Sequence, residues 1–143
     1  MYPFSIGVML DSFRTDVNTA LDKAQAMGAQ GVQVYAIRGE MSPKEMTPEK
    51  RREFLKAVKD HGLVISALCG DLGQGFVHPE KNPALIEESK RILDLAKDLE
   101  TDVVTPHIGV VPEDHGPSPL RHYAGCLRPA GRLRRFPPGP LRH

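Results

Sequence analysis

Short apolar segments alternate with amphipathic segments along the first 114 residues, and this alternation restricts the fold more than any other feature of the sequence. The apolar segments have the length of buried strands, and they are Ser5–Leu10, Gly31–Tyr35, Leu63–Leu68 and Asp102–Pro106. Between them, apolar residues recur with the 3.6-residue period of a helix that buries one face. The strand–helix alternation predicts an α/β protein with a parallel sheet.

Residues that typically begin or end helices flank the amphipathic segments. The first helix is predicted to start at Asp16 and to end at Gly28, because glycine is common just after a helix C-terminus. The second is predicted between a Thr47 cap and Gly62. The third is predicted to open at Asn82. Its apolar face is predicted to comprise Leu85, Ile86, Ser89, Ile92, Leu93, Ala96 and Leu99.

Two architectures share this element order, the open doubly wound sheet and the closed (β/α)8 barrel. The turn after the first strand, residues 9–14, lacks the G-x-G-x-x-G pattern of a dinucleotide-binding sheet. The connections after strands, at residues 36–46 and 69–82, are long and polar, whereas those after helices are short. A barrel shows this asymmetry because its strand C-termini carry the functional face. We therefore predict a partial (β/α)8 TIM barrel, since a complete one needs about 250 residues; a flavodoxin-like sheet is the alternative.

The composition changes near residue 114. Residues 1–114 hold all 18 acidic residues, whereas residues 115–143 hold six Arg, six Pro, four Gly and no acid. This composition predicts disorder and is typical of GC-rich DNA translated out of frame. The alternative is a basic arm that binds nucleic acid, which would need more stacking aromatics than Tyr123 and Phe136. We predict a domain over residues 1–114 and an irregular frameshifted tail over 115–143, with nucleic acid disfavoured as a partner.

The overall composition excludes some classes of protein. A net charge of +1, 40% hydrophobic and 26% charged residues are typical of a soluble globular protein. No apolar run approaches the roughly 18 residues of a membrane span. Cys69 and Cys126 have neither metal-site nor redox-motif spacing, so the expected compartment is the reducing cytoplasm.

Polar side chains that follow the predicted strands are the candidates for a site at the barrel mouth. They are Asp11, Tyr35, Glu40, Cys69, Asp71, His78 and His107. Several also have a structural explanation: Asp11 suits a turn or a helix cap, and Cys69 suits a small buried position. Glu40 and His78 suit solvent-exposed loops. Tyr35 suits either a substrate contact or a rim position with a satisfied hydroxyl.

Two of these candidates have further support. Asp71 lies in a glycine-rich loop, residues 69–75, which can fold close to a ligand. His107 directly follows the fourth predicted strand, where an imidazole can bind a metal or donate to a substrate oxygen. A structural role for His107 is an equal alternative, because one histidine does not define a metal site.

Four strand-end motifs resemble the sugar phosphate isomerase/epimerase family of the xylose isomerase-like barrels. They are Gly7–Arg14, Gly31–Tyr35, Ile65–Gly73 and Val103–Gly109, and they stand in the family's order over about residues 4–114. The resemblance implies a divalent metal, Mn²⁺, Mg²⁺ or Zn²⁺, and a sugar or sugar phosphate substrate. It implies metal-assisted proton transfer beside the carbonyl of a ketose or related hydroxy-ketone. It also places His107 at the substrate or metal mouth, bordered by the Cys69–Asp71 loop.

The same resemblance implies what this chain lacks. The Glu, Asp, His and Glu that hold the family's metal come from later strands, so we expect a truncated chain that is itself inactive and binds no metal. Its edge strands are expected to favour self-association. The superfamily also includes endonuclease IV-type nucleases. Their histidine-rich metal cluster would need a histidine at the position of Cys69. That nuclease and a non-catalytic half-barrel binding module are the alternatives. The family usually has glycine where Glu100 stands, after the third helix.

Overall fold

A computed structural model describes residues 4–76 and 78–107, in which four strands form one parallel sheet. The strands lie side by side in chain order: β1 (Gly7–Met9), β2 (Gly31–Tyr35), β3 (Val64–Cys69) and β4 (Val104–Thr105). They are connected by α1 (Val17–Ala26), α2 (Pro48–Asp60) and α3 (Asn82–Asp98). A 3₁₀ turn follows β1 (Leu10–Phe13), and another follows β2 (Gly39–Met41). The predicted α/β order is confirmed. The tail predicted over 115–143 lies outside the described residues.

The hydrophobic core lies between the three helices and one face of the sheet. Val32, Val34 and Leu68 point into it and are at most 2% exposed. They meet one apolar stripe from each helix in a single continuous cluster. Those stripes are Ala20, Leu21 and Ala24 of α1, Phe54 and Val58 of α2, and Ile92, Leu95 and Ala96 of α3. Leu95 is absent from the face predicted for α3, and it is among the most buried side chains.

In the part of the chain that the structure describes, no helix packs against the opposite face of the sheet, which we call the open face. Side chains alternate between faces along a strand, so Gln33 and Tyr35 point to this side when Val32 and Val34 point to the core. The register between β2 and β3 shifts once, leaving Ser66 without a partner. The Ser66 hydroxyl donates to the carbonyl oxygen of Val32 at 3.0 Å. This bulge locally bends β3 and adds a polar group beside the open face.

The helices start and end close to the residues that were predicted to cap them. The Asp16 carboxylate accepts the backbone N–H of Thr19 at 3.0 Å, and Thr47 Oγ1 accepts that of Lys50 at 3.4 Å. Gly62 follows α2 with a φ of 69°, a left-handed conformation that glycine adopts without strain. Glu100 takes the corresponding position after α3 and adopts the left-handed conformation, with a φ of 55°, although it is not glycine.

Two strands are shorter than their apolar segments predict. β1 stops at Met9 because residues 10–13 turn into a 3₁₀ helix that buries Leu10. β4 comprises only Val104 and Thr105, and Pro106 supplies no backbone donor to continue it. Both strands therefore stop early at the carboxyl end of the sheet. Among the described residues, no helix has the length and apolarity needed to cross a membrane.

Candidate functional site

Side chains from three successive strand ends converge at the carboxyl edge of the sheet. Tyr35 ends β2 and Cys69 ends β3, and the two residues are register partners. Asp11 lies in the 3₁₀ turn after β1, and its Oδ2 accepts the backbone N–H of Tyr35 at 3.3 Å. This contact ties the first strand–helix turn to the end of the second strand. The early end of β1 is therefore what carries Asp11 to Tyr35.

The Tyr35 phenol interacts electrostatically with the other side chains at this edge. Its pKa is raised above the ordinary 10.0, first by charge repulsion from Cys69 and a hydrogen bond with the Cys69 side chain. Desolvation and the negative charges of Asp71 and Asp11 act in the same direction. A phenol whose pKa lies at or above 10.0 is protonated at neutral pH. Tyr35 is therefore a hydrogen-bond donor among groups that are acceptors.

The loop that carries Asp71 is held in shape by its own carboxylate. Asp71 Oδ1 accepts the backbone N–H of Gly73 at 2.8 Å, and Gly73 has a φ of 76°. Gly70 lies where a Cβ atom would come within 3.1 Å of the Val104 side chain. The loop therefore passes close to β4, and a larger residue at position 70 would move it away. Asp71 keeps one carboxylate oxygen available to a ligand, and its side chain is half-buried.

We call Asp11, Tyr35, Cys69 and Asp71 the mouth cluster. Of the seven sequence candidates, these four are the ones that the structure brings together. Cys69 is 8% exposed, in agreement with the small buried position expected of it. Their part in binding a substrate stays a prediction.

The other three candidates do not join the mouth cluster in the described part of the chain. Glu40 is exposed in the second 3₁₀ turn, and His78 is exposed beside Glu80 at 3.6 Å, as expected of solvated loops. His107 is exposed two residues beyond β4, on the same edge of the sheet. Its predicted roles at the mouth, as a metal ligand or a substrate contact, stay predictions.

Polar residues on the open face below the mouth cluster were missing from the sequence candidates. Gln33 Nε2 donates to Thr105 Oγ1 at 3.1 Å, which links β2 to β4 across β3. Thr105 in turn lies 3.4 Å from the carbonyl oxygen of Leu68. With Ser66, these residues make the open face polar near its carboxyl edge. The signal in the sequence is a polar residue at alternate positions of an otherwise apolar strand.

A cleft of about 370 Å³ opens beside the mouth cluster, between α1 and the turn after β2. Asp11 belongs both to this cleft and to the mouth cluster. Thr15, Arg38 and Glu40 also line it, above an apolar floor that includes Val34. Charged and hydroxyl groups over an apolar floor suit a small polar molecule.

The metal implied by the family resemblance has no complete set of ligands here. Within residues 4–76 and 78–107, no three His, Cys, Asp or Glu side chains form a group that could hold a metal ion. Structural and catalytic metal sites in proteins usually take three or more such ligands. The described residues therefore do not fit a metal by themselves.

Comparison with known proteins places this fold in a family. The family model described as xylose isomerase-like TIM barrel matches residues 21–135, which is most of the chain. The chain belongs to the xylose isomerase-like TIM barrel family. The match extends past residue 114, and the domain boundary predicted there stays a prediction. None of the curated proteins compared with the chain matches it.

Solved structures share the fold of this family member. A xylose isomerase domain protein from Planctomyces limnophilus aligns with a TM-score of 0.68 at 24% identity, over 91% of this chain and 49% of its own. The probable 3-DHS dehydratase AsbF from Bacillus anthracis gives 0.71 at 17% identity, over 91% and 48%. The 3-keto-D-glucoside 4-epimerase YcjR from E. coli gives 0.66 at 17% identity, over 91% and 51%. The chain thus spans about half the length of the barrels it matches, and at these identities the likeness concerns the fold.

Proposed function

We propose that the described part of the chain is the substrate-binding half of a sugar isomerase- or epimerase-type barrel. The substrate class is a ketose, its phosphate or a related hydroxy-ketone. The observation that carries this proposal is the mouth cluster: a protonated phenol, Tyr35, among the carboxyl groups of Asp11 and Asp71 at the carboxyl edge of the sheet. In barrels of this kind, ligands bind at that edge.

The chemistry of the cluster matches the chemistry of such a substrate. A sugar presents hydroxyl donors next to hydroxyl and carbonyl acceptors. The carboxylates of Asp11 and Asp71 can accept from hydroxyls, whereas the Tyr35 phenol can donate to an oxygen. The buried Cys69 side chain raises the pKa of Tyr35, which disfavours ionisation of the phenol.

The family and the neighbouring folds support the same class of substrate. The solved relatives include an epimerase of a 3-keto-D-glucoside, a probable 3-DHS dehydratase and a sugar phosphate isomerase/epimerase. A dehydratase among them leaves the type of reaction broader than isomerisation. We propose isomerase or epimerase chemistry in the complete barrel and assign no catalytic residue in this chain.

Binding without turnover is the behaviour we propose for the 143-residue chain. Catalytic groups of a TIM barrel come from the ends of several strands, and this chain spans about half of the related barrels. The described residues also form no three-ligand metal group. Incubation with D-fructose and Mn²⁺, Mg²⁺ or Zn²⁺ is expected to leave the sugar unchanged by NMR. Formation of an aldose or an epimer would contradict the inactivity and leave the binding proposal standing.

Calorimetric titration with D-fructose and with D-fructose 6-phosphate tests the binding proposal. Tyr35→Phe keeps the ring and removes the donor, so we expect it to weaken binding by about 5-fold, the effect of one hydrogen bond. Ser89→Ala is the matched control, since it also removes one hydroxyl, from α3, where Ser89 donates to the Leu85 carbonyl at 2.8 Å. The control is expected to bind like the original chain. No saturable heat with either probe, or equal affinity in Tyr35→Phe, would overturn the proposal.

A further inference from the structure

The acidic side chains around the mouth cluster and its cleft are not neutralised by a basic partner. Asp11 and Asp71 belong to the mouth cluster, and Glu40 lines the cleft together with Asp11. In the part of the chain that the structure describes, none of these three carboxylates forms an ion pair. Elsewhere in the fold, Asp98 and Glu100 each lie 2.7 Å from a basic nitrogen.

One basic side chain, Arg38, is among the residues that line the cleft. It is exposed and forms no ion pair with another described residue. Two carboxylates and one guanidinium leave the cleft with a net charge of −1, and Asp71 brings the combined site to −2. Because Asp11 belongs to both the cleft and the mouth cluster, a ligand held by the cluster lies next to these charges.

The start of α1 offers no free anion site beside the cleft. Thr15 and Val17 line the cleft, and Asp16 stands between them as the helix cap. A helix N-terminus binds anions through its free backbone N–H groups. Here the Asp16 carboxylate already accepts the N–H of Thr19 at 3.0 Å, and this bond lowers the pKa of Asp16 below its ordinary 3.8. The cap therefore adds a further negative charge where a phosphate would need donors.

We propose that this site selects an uncharged sugar or hydroxy-ketone over the corresponding sugar phosphate. The inference rests on the function proposed above, because it concerns which member of that substrate class the same site takes. A phosphate monoester carries a charge of about −1.5 to −2 at pH 7. It would bring that charge to a surface that is already negative.

Hydrogen bonding favours the uncharged ligand as well. Asp11 uses Oδ2 for the Tyr35 backbone and Asp71 uses Oδ1 for the Gly73 backbone, so each keeps a second oxygen that can accept. Sugar hydroxyls can donate to those oxygens. A phosphate dianion has only acceptors, and so has a carboxylate, so the two cannot hydrogen-bond to each other.

The test compares D-fructose with D-fructose 6-phosphate at the mouth cluster of the 143-residue chain. Amide resonances of the mouth cluster are followed by NMR in competition titrations, so phosphate bound elsewhere on the chain is not counted. At a salt concentration of about 0.02 M, we expect the Kd of the phosphate to be about 5-fold higher than that of D-fructose or more. The difference is expected to shrink at about 0.5 M salt, because salt screens repulsion and leaves steric exclusion unchanged.

Neutralising the acids is expected to relax this selectivity. Asp71→Asn and Glu40→Gln each remove one negative charge and keep a carbonyl oxygen that accepts hydrogen bonds. We expect Asp71→Asn to lower the ratio of the two Kd values by about 3-fold, and Glu40→Gln to lower it by less because Glu40 is more exposed. Arg38→Gln removes the cleft's guanidinium and is expected to raise the ratio.

Asp94→Asn is the matched control, because it makes the same chemical change at an exposed position in the second half of α3. That half of the helix leads back toward the amino end of β4, away from the mouth cluster. The ratio is expected to equal that of the original chain. Circular dichroism verifies that each variant keeps its helices, and Glu40→Gln, in an exposed turn, replaces Asp71→Asn if that variant loses them.

Equal or tighter binding of the phosphate at low salt would overturn this inference and leave the proposed function standing. The same ratio in Asp71→Asn and in Asp94→Asn would also overturn it. If neither ligand shifts the mouth-cluster resonances, the inference and the proposed function both fail.

Discussion

At the scale of single residues, the molecule uses backbone turns to bring polar groups together. Asp11 reaches Tyr35 because β1 gives way to a 3₁₀ turn after three residues. Asp71 is positioned by its bond to the Gly73 backbone. Cys69 links these groups through its effect on the Tyr35 phenol. The chemistry of the mouth therefore depends on where strands end as much as on which residues end them.

Replacing Cys69 is expected to lower the pKa of Tyr35. Cys69 makes the largest contribution to the raised pKa, through its charge and its hydrogen bond, so Cys69→Ala should move the pKa back toward the ordinary 10.0. NMR titration of the Tyr35 ring measures this directly. Asp71→Asn is the companion variant, and it should lower the pKa by less because Asp71 is a smaller cause. An unchanged pKa in Cys69→Ala would contradict this account of the phenol.

At the scale of elements, helix ends show which parts of the fold the sequence predicts. Asp16 and Thr47 cap their helices as predicted, because capping is a local contact between a side chain and a backbone N–H nearby. The order of strands and helices follows from hydrophobic period, which is also local. Those features could therefore be predicted from the sequence.

The features that sequence analysis missed depend on contacts between distant residues. The Gln33–Thr105 bond joins residues 72 positions apart, and the Ser66 bulge depends on the register of β3 against β2. The core position of Leu95 depends on how α3 is rotated against the sheet. In the mouth cluster, the candidates were predicted from strand ends, but the contact between Asp11 and the Tyr35 backbone required the folded turn.

Replacing Glu100 with glycine is expected to stabilise the chain. Glu100 has a φ of 55°, a left-handed conformation that costs a residue with a Cβ atom about 1 kcal/mol relative to glycine. Glu100→Gly also removes an exposed ion pair with Lys59 at 2.7 Å, which contributes less than the strain. Denaturant unfolding should therefore show a net gain in the free energy of unfolding. Glu100→Ala keeps the strain and loses the ion pair, so a gain in that control as large as in Glu100→Gly would refute the explanation.

His61 is expected to make the stability depend on pH near neutrality. It lies at the end of α2, where Nδ1 is 2.6 Å from the Ala57 carbonyl and Nε2 is 3.0 Å from Asp22 of α1. The Ala57 carbonyl first, and then Asp22, raise the pKa of His61 above 6.5, because both favour the protonated ring. The resulting stability is fully present below the unfolded pKa and is lost as the pH rises through the folded pKa.

Thermal unfolding at a series of pH values from about 5.5 to 8.5 measures this effect. The unfolding midpoint is expected to fall as the pH rises through the folded pKa of His61. His61→Gln should remove that part of the fall. His78→Gln is the matched control, since His78 is exposed with a single distant partner, Glu80 at 3.6 Å. A pH profile of the unfolding midpoint that is the same in His61→Gln and in the original chain would contradict this prediction. It would show that the His61 link between α1 and α2 contributes nothing to the pH dependence of stability.

At the scale of the whole molecule, the described residues form four parallel strands with helices on one side. Their core is continuous, and the other side of the sheet is open. The family membership and the half-length alignments explain this asymmetry, since the open face corresponds to the interior of a closed barrel. The mouth cluster lies at the carboxyl edge of the strands, which in TIM barrels is the end that carries the site.

The most direct test of the central claim is the place where a sugar binds this chain. Amide resonances of the isotope-labelled chain are followed by NMR while D-fructose is added. The account predicts saturable shifts at the mouth cluster, Asp11, Tyr35, Cys69 and Asp71, and unchanged resonances at the amino ends of the strands, such as Gly31 and Val64. Shifts confined to the amino ends, or no saturable shifts at all, would contradict it.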